Sequence, residues 1–400
     1  MRRLGGFTAE RIETIDSRKA LGRVAAGEIR AREDIPHFFR SNMDGYAVRA
    51  EDTLGASNRS AVPLTVIGTV AMGETTRLRL TAGTAARIST GGMMPEGADA
   101  VVLVEHSEEL PGGRVAVRES VTAGQSTIAI GEDMRAGDLV FVRGHRFRGS
   151  DVGVLTGIGL ASVEVFAVPR VGVIATGDEI VEPEAELPPG RVRNVNEYLL
   201  AALATRCGAI VHDYGVIGDD ADVLGRMLER ALADNDVVFV SGGSSKGAKD
   251  LTRSAFEAIP GAEILFHGIA IAPGKPTLLA KIGGKALMGV PGNPAAVAVV
   301  FTLFGAPLVR ALGGEPLERV LVLRPRVRAR LAARIPSTEG RDDFTRVRLE
   351  SGDGDLPLAH AIRGKSVALS TIARADGIVR VPASSTGFAA GAEVDVLLLD

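Results

Sequence analysis

Glycine-rich loops at the ends of predicted strands are the segments of this chain best suited to chemistry. They are IATGDEI (174–180), GVIGDD (215–220), SGGSSKGAKD (241–250), APGKP (272–276) and GVPGNP (289–294). Glycines let the backbone approach a ligand and present N–H groups to an anion, and Lys246, Lys249 and Lys275 add positive charge. Any one loop is also typical of an ordinary strand-to-helix turn. Several on one sheet edge favour a site for a phosphorylated ligand.

Acidic residues in glycine-containing loops form a second candidate group. They are Asp44, Asp133, Glu179, Asp219, Asp220 and Asp250. Singly, each is typical of a turn or a helix cap. As a group they predict a Mg²⁺ site, because Mg²⁺ prefers carboxylates together with phosphate oxygens and waters. A metal beside a phosphate-binding edge would suit phosphoryl or nucleotidyl chemistry.

Other kinds of site have weaker support in the sequence. Neither G-x-x-x-x-G-K-[ST] nor G-x-G-x-x-G occurs, which argues against a P-loop NTPase and a Rossmann dehydrogenase. One cysteine and six dispersed histidines offer no cysteine or histidine metal cluster. The segment 243–247 matches the G-x-S-x-G elbow of hydrolases, with Ser245 as nucleophile. Asp343 and His360 follow in the right order, but both lie in a predicted β domain, outside the sheet that carries the serine.

Composition and charge are those of a folded protein. The 400 residues are 46% hydrophobic and 24% charged, with a net charge of −3 and 4% aromatic residues, which argues against a nucleic-acid surface. The N-terminus, MRRLGGFTAERIETID, lacks the pattern of a signal peptide. The longest apolar run, 295–309, is interrupted by Thr302, Gly305 and Pro307 and is too short to span a bilayer. We expect a cytoplasmic protein without nucleic-acid or membrane partners.

The elements that position the glycine loops alternate along the chain. Apolar strands VGVIATG, AIVHDYGVI, DVVFVSGG and KALMGVPG are separated or followed by helical patterns at 196–207, 221–233, 248–259 and 294–312. This alternation predicts a doubly wound, mostly parallel sheet, in which ligands bind outside the carboxyl ends of the strands. The fold class is therefore α/β plus β, with several domains.

Strand patterns flank this central part. Short β-branched segments predict an inserted β domain over 49–136, and RVLVLRPRVRARL, DDFTRVRLE, DGIVRVPA and EVDVLLL predict a C-terminal β domain over 316–400. The segments 1–48 and 137–168 are predicted to form one N-terminal domain, and 169–315 the α/β domain. Two helices are expected in the N-terminal domain, one capped by Ser17 over KALGRVAAGEI and one over 150–159.

Motifs along nearly the whole chain resemble one family. They include SNMDGYA (41–47), STGGMMPEGADAVV (89–102), GEDMRAGD (131–138), GRDDFTRV (340–347) and SVALSTIARADGIV (366–379), together with the glycine loops above. In this order they resemble the molybdopterin molybdenumtransferases (MoeA and the C-terminal part of gephyrin). The resemblance implies insertion of molybdate into the dithiolene of adenylylated molybdopterin, with release of AMP and molybdenum cofactor. It also implies Mg²⁺, a homodimer formed through the N-terminal domain, a molybdopterin adenylyltransferase-like third domain and a fourth-domain β-barrel.

The resemblance assigns roles by matching positions. The catalytic positions fall on Asp44, Thr90, Asp133, Glu179, Asp219 and Asp250. The metal positions are Glu179, Asp219 and Asp250. The substrate-binding positions fall on Gly242, Gly243, Ser245, Lys246, Lys275, Pro291, Pro294, Arg346 and Ser370. In the family the loop that holds Asp44 faces the third domain of the partner subunit.

Three departures from the family pattern bear on molybdate. Ser244 replaces the usual valine, Lys246 replaces a small or apolar residue, and Ala272 stands where a Lys or Arg often precedes PGKP. We hypothesise that Lys246 replaces the cation missing at Ala272; unchanged molybdate affinity and turnover in Lys246→Ala would contradict this. The departures leave a non-catalytic molybdopterin-binding scaffold as one alternative. A molybdopterin adenylyltransferase is the other, and that enzyme and molybdoenzyme apoproteins are expected partners.

Overall fold

The computed structural model describes Leu4 and residues 6–242, 251–352 and 354–399. The chain divides into two compact units. The smaller unit comprises Glu28–Val142 and Gly153–Ala161. The larger comprises Met1–Gly27, Arg143–Val152 and Ser162–Asp400.

The strands and helices have the following bounds. Up to residue 168 they are β1 (Ile12–Asp16), β2 (Ile29–Arg30), β3 (Arg40–Ser41), β4 (Gly45–Val48), β5 (Val62–Val70), β6 (Thr84–Ile88), β7 (Ala100–Leu103), β8 (Ser107–Leu110), β9 (Arg114–Val117), β10 (Thr127–Ile128), β11 (Leu139–Phe141), α1 (Gly149–Gly157) and β12 (Ser162–Phe166). The next are β13 (Arg170–Thr176), β14 (Ile180–Val181), β15 (Val192–Arg193), α2 (Asn196–Arg206), β16 (Ile210–Ile217), α3 (Ala221–Asp234), β17 (Val237–Ser241), α4 (Leu251–Ala258), β18 (Ala262–His267), β19 (Ile271–Ala272), β20 (Leu278–Ile282), β21 (Lys285–Val290), α5 (Pro294–Val300) and α6 (Ala306–Leu312). The last are α7 (Leu317–Val322), β22 (Arg326–Leu331), β23 (Ile335–Pro336), β24 (Asp342–Glu350), β25 (Leu358–Ala361), α8 (Ser370–Ala373), β26 (Gly377–Val381), β27 (Gly387–Phe388) and β28 (Glu393–Leu398).

The smaller unit is built on a sheet with strand order β7-β4-β6-β5-β9-β8. Side chains alternate between the faces of a strand, so successive residues of β4 enter different clusters. Tyr46 and Val48 pack in one cluster, and Ala47 packs in the other. Burial on both faces explains why GYAV is continuously apolar, and the predicted β character of this region is confirmed.

The larger unit contains a sheet with strand order β16-β13-β17-β21-β20-β18. The first four strands are parallel, while β20 and β18 are antiparallel to their neighbours. Val171 and Val173 pack on the face covered by α2, α5 and α6, and Ile174 packs on the face covered by α3 and α4. The predicted doubly wound, mostly parallel sheet is confirmed.

The C-terminal part of this unit is a barrel. Strands β24, β25, β22, β28 and β26 pair in sequence, and a further β24–β26 pairing closes the ring. Strand β19 pairs in parallel with the start of β24, with Ile271 opposite Asp342 and Ala272 opposite Asp343. The barrel implied by the resemblance is confirmed. The predicted division into four domains is finer than the division into two compact units, and its boundaries stay predictions.

The helix predicted after Ser17 is wrong. The structure has only a 3-10 turn, Ser17–Lys19, and the side chain of Asp16 caps it. The backbone beyond the turn bonds to distant segments, with Gly22 N–H donating to the carbonyl of Phe147 and Ala25 N–H to that of His145. These non-local bonds replace the local i→i−4 bonds that a helix needs.

The first four residues of RVLVLRPRVRARL, 319–322, are also helical rather than extended. Helix α7 covers Leu317–Val322, and β22 follows it. The N–H of Val320 donates to the carbonyl of Pro316, and the Val320 side chain is buried. Proline suits the start of a helix because its fixed φ is pre-organised.

The predicted α1 is confirmed with bounds shifted by one or two residues.

The apolar helix at 294–312 lies in the core. It runs through α5, a wider π-type turn (Phe301–Gly305) and α6. By length and composition this helix, among the described residues, is the candidate for crossing a membrane, but 78% of its apolar window is buried inside the protein. Val297 and Leu308 pack in the same cluster as the sheet residue Phe239. The helix therefore has the burial expected of a core element.

Candidate functional site

The loops after β13, β17 and β21 meet at the carboxyl edge of the sheet. Gly242 has a φ of +104°, and a Cβ built on it would lie 2.1 Å from the carbonyl oxygen of Thr176. A Cβ on Gly292 would lie 3.8 Å from the Cα of Gly242. Only glycine fits at Gly242, because a side chain there would collide with backbone that has no room to move. The structure thus brings together the glycines predicted to approach a phosphate.

The loops after β13 and β16 carry the acidic residues. Asp178 lies between them: its Oδ1 accepts a hydrogen bond from the backbone N–H of Asp219 at 3.1 Å. A Cβ built on Gly177 would lie 2.7 Å from Oε2 of Glu179, so that carboxylate folds back over its own loop. Partial desolvation, together with the negative charges of Asp178 and Glu179, raises the pKa of Asp219. A nearby cation would therefore stabilise the ionised form of these three carboxylates.

The side chains of the same group are of the kind that binds Mg²⁺. Mg²⁺ commonly takes one or two carboxylates and fills its other positions with waters and phosphate oxygens. Glu179 and Asp219 supply such carboxylates, and a cation would offset the negative charges of Asp178 and Glu179 that, after burial, raise the pKa of Asp219. Within the described ranges, no three His, Cys, Asp or Glu side chains are close enough to form a complete protein cage. Asp220 has a different role, since its Oδ1 caps α3 by accepting from Asp222 and Val223 N–H.

The APGKP loop reaches the same edge from the antiparallel strands. It precedes β20, whose first residue, Leu278, is opposite Gly289 near the end of β21. The Oγ1 of Thr277 donates to the carbonyl of Gly274 at 2.6 Å. Lys275 is exposed in the loop, so its charge is accessible to an anionic ligand.

The PGNP loop is tied to the segment that precedes α8. Pro294 is the first residue of α5, and Pro291 lies three residues before it. The Nδ2 of Asn293 donates to Oγ of Ser366 at 2.9 Å, and the N–H of Ala295 donates to the Ser366 carbonyl. Ser370, the first residue of α8, is exposed. The barrel segment of Ser370 is therefore anchored to the loop of Pro291 and Pro294.

Arg346 is a buried cation within β24. Its side chain is 8% exposed, and Nε and Nη1 have no hydrogen-bond partner among the described residues. Burial lowers the pKa of its guanidinium. A buried charge is costly unless it is paired. An anion reaching Arg346 would therefore be bound by charge as well as by hydrogen bonds.

The smaller unit holds the other predicted catalytic residues. Oδ1 of Asp44 accepts a hydrogen bond from the backbone N–H of Thr90 at 2.7 Å. The next residue has to be glycine, because a Cβ on Gly45 would lie 2.0 Å from the carbonyl oxygen of Val102. Asp133 is exposed in another turn, whose N–H donates to the carbonyl of Ile35. The structure therefore joins Asp44 to Thr90 directly.

The chain matches three consecutive family regions. Residues 3–159 match the MoeA N-terminal region (domain I and II), residues 172–311 the probable molybdopterin binding domain, and residues 328–399 the MoeA C-terminal region (domain IV). Molybdopterin molybdenumtransferase 2 of Mycobacterium tuberculosis (strain ATCC 25618 / H37Rv) is 34% identical, over 96% of this chain and 94% of that protein. The chain belongs to the molybdopterin molybdenumtransferase family.

Further comparisons agree with this family. The molybdopterin molybdenumtransferase of Staphylococcus aureus (strain COL) is 32% identical, over 97% of this chain and 91% of that protein. A crystal structure of the molybdopterin biosynthesis MoeA protein from Pyrococcus horikosii is 38% identical, covers 100% of this chain and 97% of that one, and has a TM-score of 0.82. The predicted family, fold class and transferase activity are confirmed at the level of the family.

Some predicted residues of this molybdenumtransferase lie outside the described residues. They are Gly243, Ser244, Ser245, Lys246, Lys249 and Asp250. The roles predicted for individual residues on both units stay predictions. The hydrolase alternative loses support, because Asp343 accepts from Ser337 Oγ at 2.7 Å, and His360 is opposite Arg348 on β24 rather than opposite Asp343. The register of the two strands therefore keeps the intended triad members apart.

Sequence reasoning missed two residues that organise the site, Asp178 and Asn196. Asp178 did not stand out in the sequence because acidic loop residues are common. Its hydrogen bond with the N–H of Asp219 connects the loops that follow two different strands. Asn196 was read only as the start of a helix, yet its Nδ2 donates to Oγ of Ser241 at 2.7 Å and to the carbonyl of Gly292 at 2.8 Å. A polar residue at a helix start within a parallel sheet protein was the available signal for Asn196.

Proposed function

We propose that this protein inserts molybdenum from molybdate into the dithiolene of adenylylated molybdopterin and releases AMP and molybdenum cofactor. The single observation that carries the proposal beyond the family is Arg346, a buried guanidinium with unpartnered Nε and Nη1 among the described residues. Molybdate is a dianion, and an arginine that is already desolvated would bind it strongly. Lys275 and Ser370 are the other candidate molybdate contacts.

The glycine loops suit the phosphate-bearing part of the substrate. Gly242 and Gly292 keep side chains away from the carboxyl edge of the sheet, so the backbone is open to a pyrophosphate. Glu179 and Asp219 would hold Mg²⁺, which when bound neutralises phosphate charge. The chain has 13 Phe, 3 Tyr and no Trp, so hydrogen bonds rather than stacking would hold the pterin.

The chemistry follows from placing molybdate beside the adenylate. A molybdate oxygen attacks the adenylate phosphorus, the bond from that phosphorus to the bridging oxygen breaks, and AMP leaves with the attacking oxygen. Molybdenum then takes up the two dithiolene sulfurs as they lose their protons, and a second molybdate oxygen leaves as water. Asp44, held by the Thr90 N–H, is the proposed acid-base group of the smaller unit.

The assembly and compartment are part of the proposal. The family resemblance and the expected position of the Asp44 loop against a partner subunit support a homodimer. Similarity to enzymes of molybdenum cofactor biosynthesis supports a cytoplasmic enzyme that receives its substrate from a molybdopterin adenylyltransferase. Sedimentation velocity of the purified chain tests the dimer, and a single monomeric species at micromolar concentration would contradict it.

One reaction separates the proposed enzyme from its alternatives. The protein is incubated with adenylylated molybdopterin, Mg²⁺ and low molybdate, and AMP and active cofactor are measured. We expect stoichiometric AMP release that depends on molybdate. Tight binding without AMP release would eliminate the transferase and favour a non-catalytic scaffold. Ala272 gives some support to the scaffold, because the family often has a Lys or Arg at this position. Accumulation of adenylylated molybdopterin from ATP and molybdopterin would favour the adenylyltransferase.

A further inference from the structure

The side chain of Asn196 connects two of the ligand loops. It is 9% exposed and belongs to the first turn of α2. Nδ2 donates to Ser241 Oγ at 2.7 Å and to the Gly292 carbonyl oxygen at 2.8 Å. A carbonyl oxygen only accepts, so the contact with Gly292 fixes the orientation of the carboxamide. Ser241 leads into the loop after β17, and Gly292 lies in the loop after β21.

The same turn of α2 holds a third strand end. The Glu197 carboxylate is 6% exposed, and its Oε1 accepts from the N–H of Gly215 at 2.9 Å. Its Oε2 accepts from Nδ2 of Asn194. Gly215 lies in β16, just before the loop that carries Asp219. Two consecutive residues of one helix therefore contact three strand ends of the ligand edge.

We propose that Asn196 is a positioning residue that fixes the spacing between the loops of Gly242 and Gly292 and so sets the affinity for the phosphate-bearing part of the substrate. The inference rests on the proposed function. Oδ1 of Asn196 has no hydrogen-bond partner among the described residues, so the bonds described for this side chain both come from Nδ2. Removal of these bonds leaves each loop free to move, and the substrate then has to order both loops when it binds.

This role predicts a specific kinetic pattern for Asn196→Ala. Ordering of loops on binding affects ground state and transition state alike, so KM for adenylylated molybdopterin should rise about tenfold while kcat stays within about twofold. General destabilisation has the opposite signature, because a smaller folded fraction lowers the apparent kcat and leaves KM unchanged. The ratio of the two effects therefore separates positioning from stability.

Asn235→Ala is the matched control. Asn235 is 1% exposed, and its Nδ2 donates to Tyr214 Oη and to the Ala231 carbonyl, each at 2.8 Å. It precedes β17 and so lies at the amino end of the sheet. We expect this variant to lose thermal stability as Asn196→Ala does, with KM unchanged. Equal KM changes in the two variants, or an unchanged KM in Asn196→Ala, would overturn the proposal.

Hydrogen exchange tests the same idea without turnover. Exchange at 289–293 should accelerate in Asn196→Ala and not in Asn235→Ala. If wild-type protein releases no AMP, the proposed function fails while this measurement still decides the role of Asn196. If Asn196→Ala does not fold, Asn196→Asp replaces it, since that variant keeps the shape and turns an oxygen toward the Gly292 carbonyl. Exchange at 289–293 equal to wild type in the folded variant would overturn the positioning role.

Discussion

The backbone N–H of Thr90 donates a hydrogen bond to Oδ1 of Asp44 at 2.7 Å. The amide oxygen of asparagine can also accept this bond, although more weakly than a carboxylate oxygen, so Asp44→Asn keeps the loop contact and removes the charge. We expect molybdenum insertion to fall by at least about 100-fold, with the melting temperature unchanged. AMP release and differential scanning calorimetry measure the two effects.

An aspartate in a short 3-10 helix of the same unit, Ala50–Thr53, provides the control for Asp44. Oδ2 of Asp52 accepts from the N–H of Gly83 at 3.0 Å, a contact of the same kind. Asp52→Asn should retain activity. Full activity in Asp44→Asn, or equal losses in both variants, would refute the role of Asp44.

Arg346→Met should separate stability from activity. Methionine has a similar volume and no charge to desolvate, so the free energy of unfolding should rise by about 1–4 kcal/mol or stay level. Molybdate affinity should fall at least tenfold, on the order of 1.4 kcal/mol, because a charged hydrogen-bond donor is lost. Arg348→Met, which removes an exposed arginine paired with Glu350 on the same strand, is the control. A destabilised Arg346→Met protein with unchanged molybdate binding would show that Arg346 is structural.

The two site glycines should respond differently to alanine. Gly242→Ala places a Cβ against the Thr176 carbonyl at a φ of +104°, so we expect a loss of about 3 kcal/mol or more. Gly292→Ala meets no atom closer than 3.8 Å, so its stability should stay within about 1 kcal/mol. Chemical denaturation measures both values. Equal losses in the two variants would contradict the packing at Gly242.

Glu315 makes stability depend on pH. Burial alone would raise the pKa of its carboxyl, but hydrogen bonds and positive charge from Arg310 and Arg146 outweigh burial and lower that pKa. A lowered folded-state pKa gives stability that is present above the unfolded value of about 4.3 and is lost as pH falls through the folded value. Glu315→Gln should cost about 3–5 kcal/mol at pH 7, since it leaves two arginines without their buried partner.

Thermal unfolding between pH 3 and pH 7 checks the Glu315 prediction. The gap between wild type and Glu315→Gln should narrow progressively as pH falls below the unfolded reference value of about 4.3. Glu318→Gln, which changes an exposed residue of the next helix, serves as the control. A gap that stays constant with pH would rule out the ion pair as its source.

Much of the α/β part was predictable because its signals are local. Strand segments such as 171–175 and 237–240 are continuously apolar, and helices with regular apolar spacing separate them. Parallel strands place their carboxyl ends on one edge, so the glycine loops could be assigned to one site before any contact was known. The family motifs strengthened this assignment. The segment after Ser17 was mispredicted because its backbone bonds to residues more than 100 positions away.

The sequence alone determined the family, the parallel sheet and the loops that could bind a phosphorylated ligand, since periodicity and turn chemistry are properties of neighbouring residues. The tertiary structure decided which polar side chains are buried and which of them connect separate loops. Arg346 resembles any strand arginine in sequence and is buried because its face of β24, shared with Phe344, packs against the core of the α/β sheet. Asn196 gained its two loop contacts from residues 45 and 96 positions away. Burial and non-local hydrogen bonds arise from packing, and local sequence patterns carry little information about either.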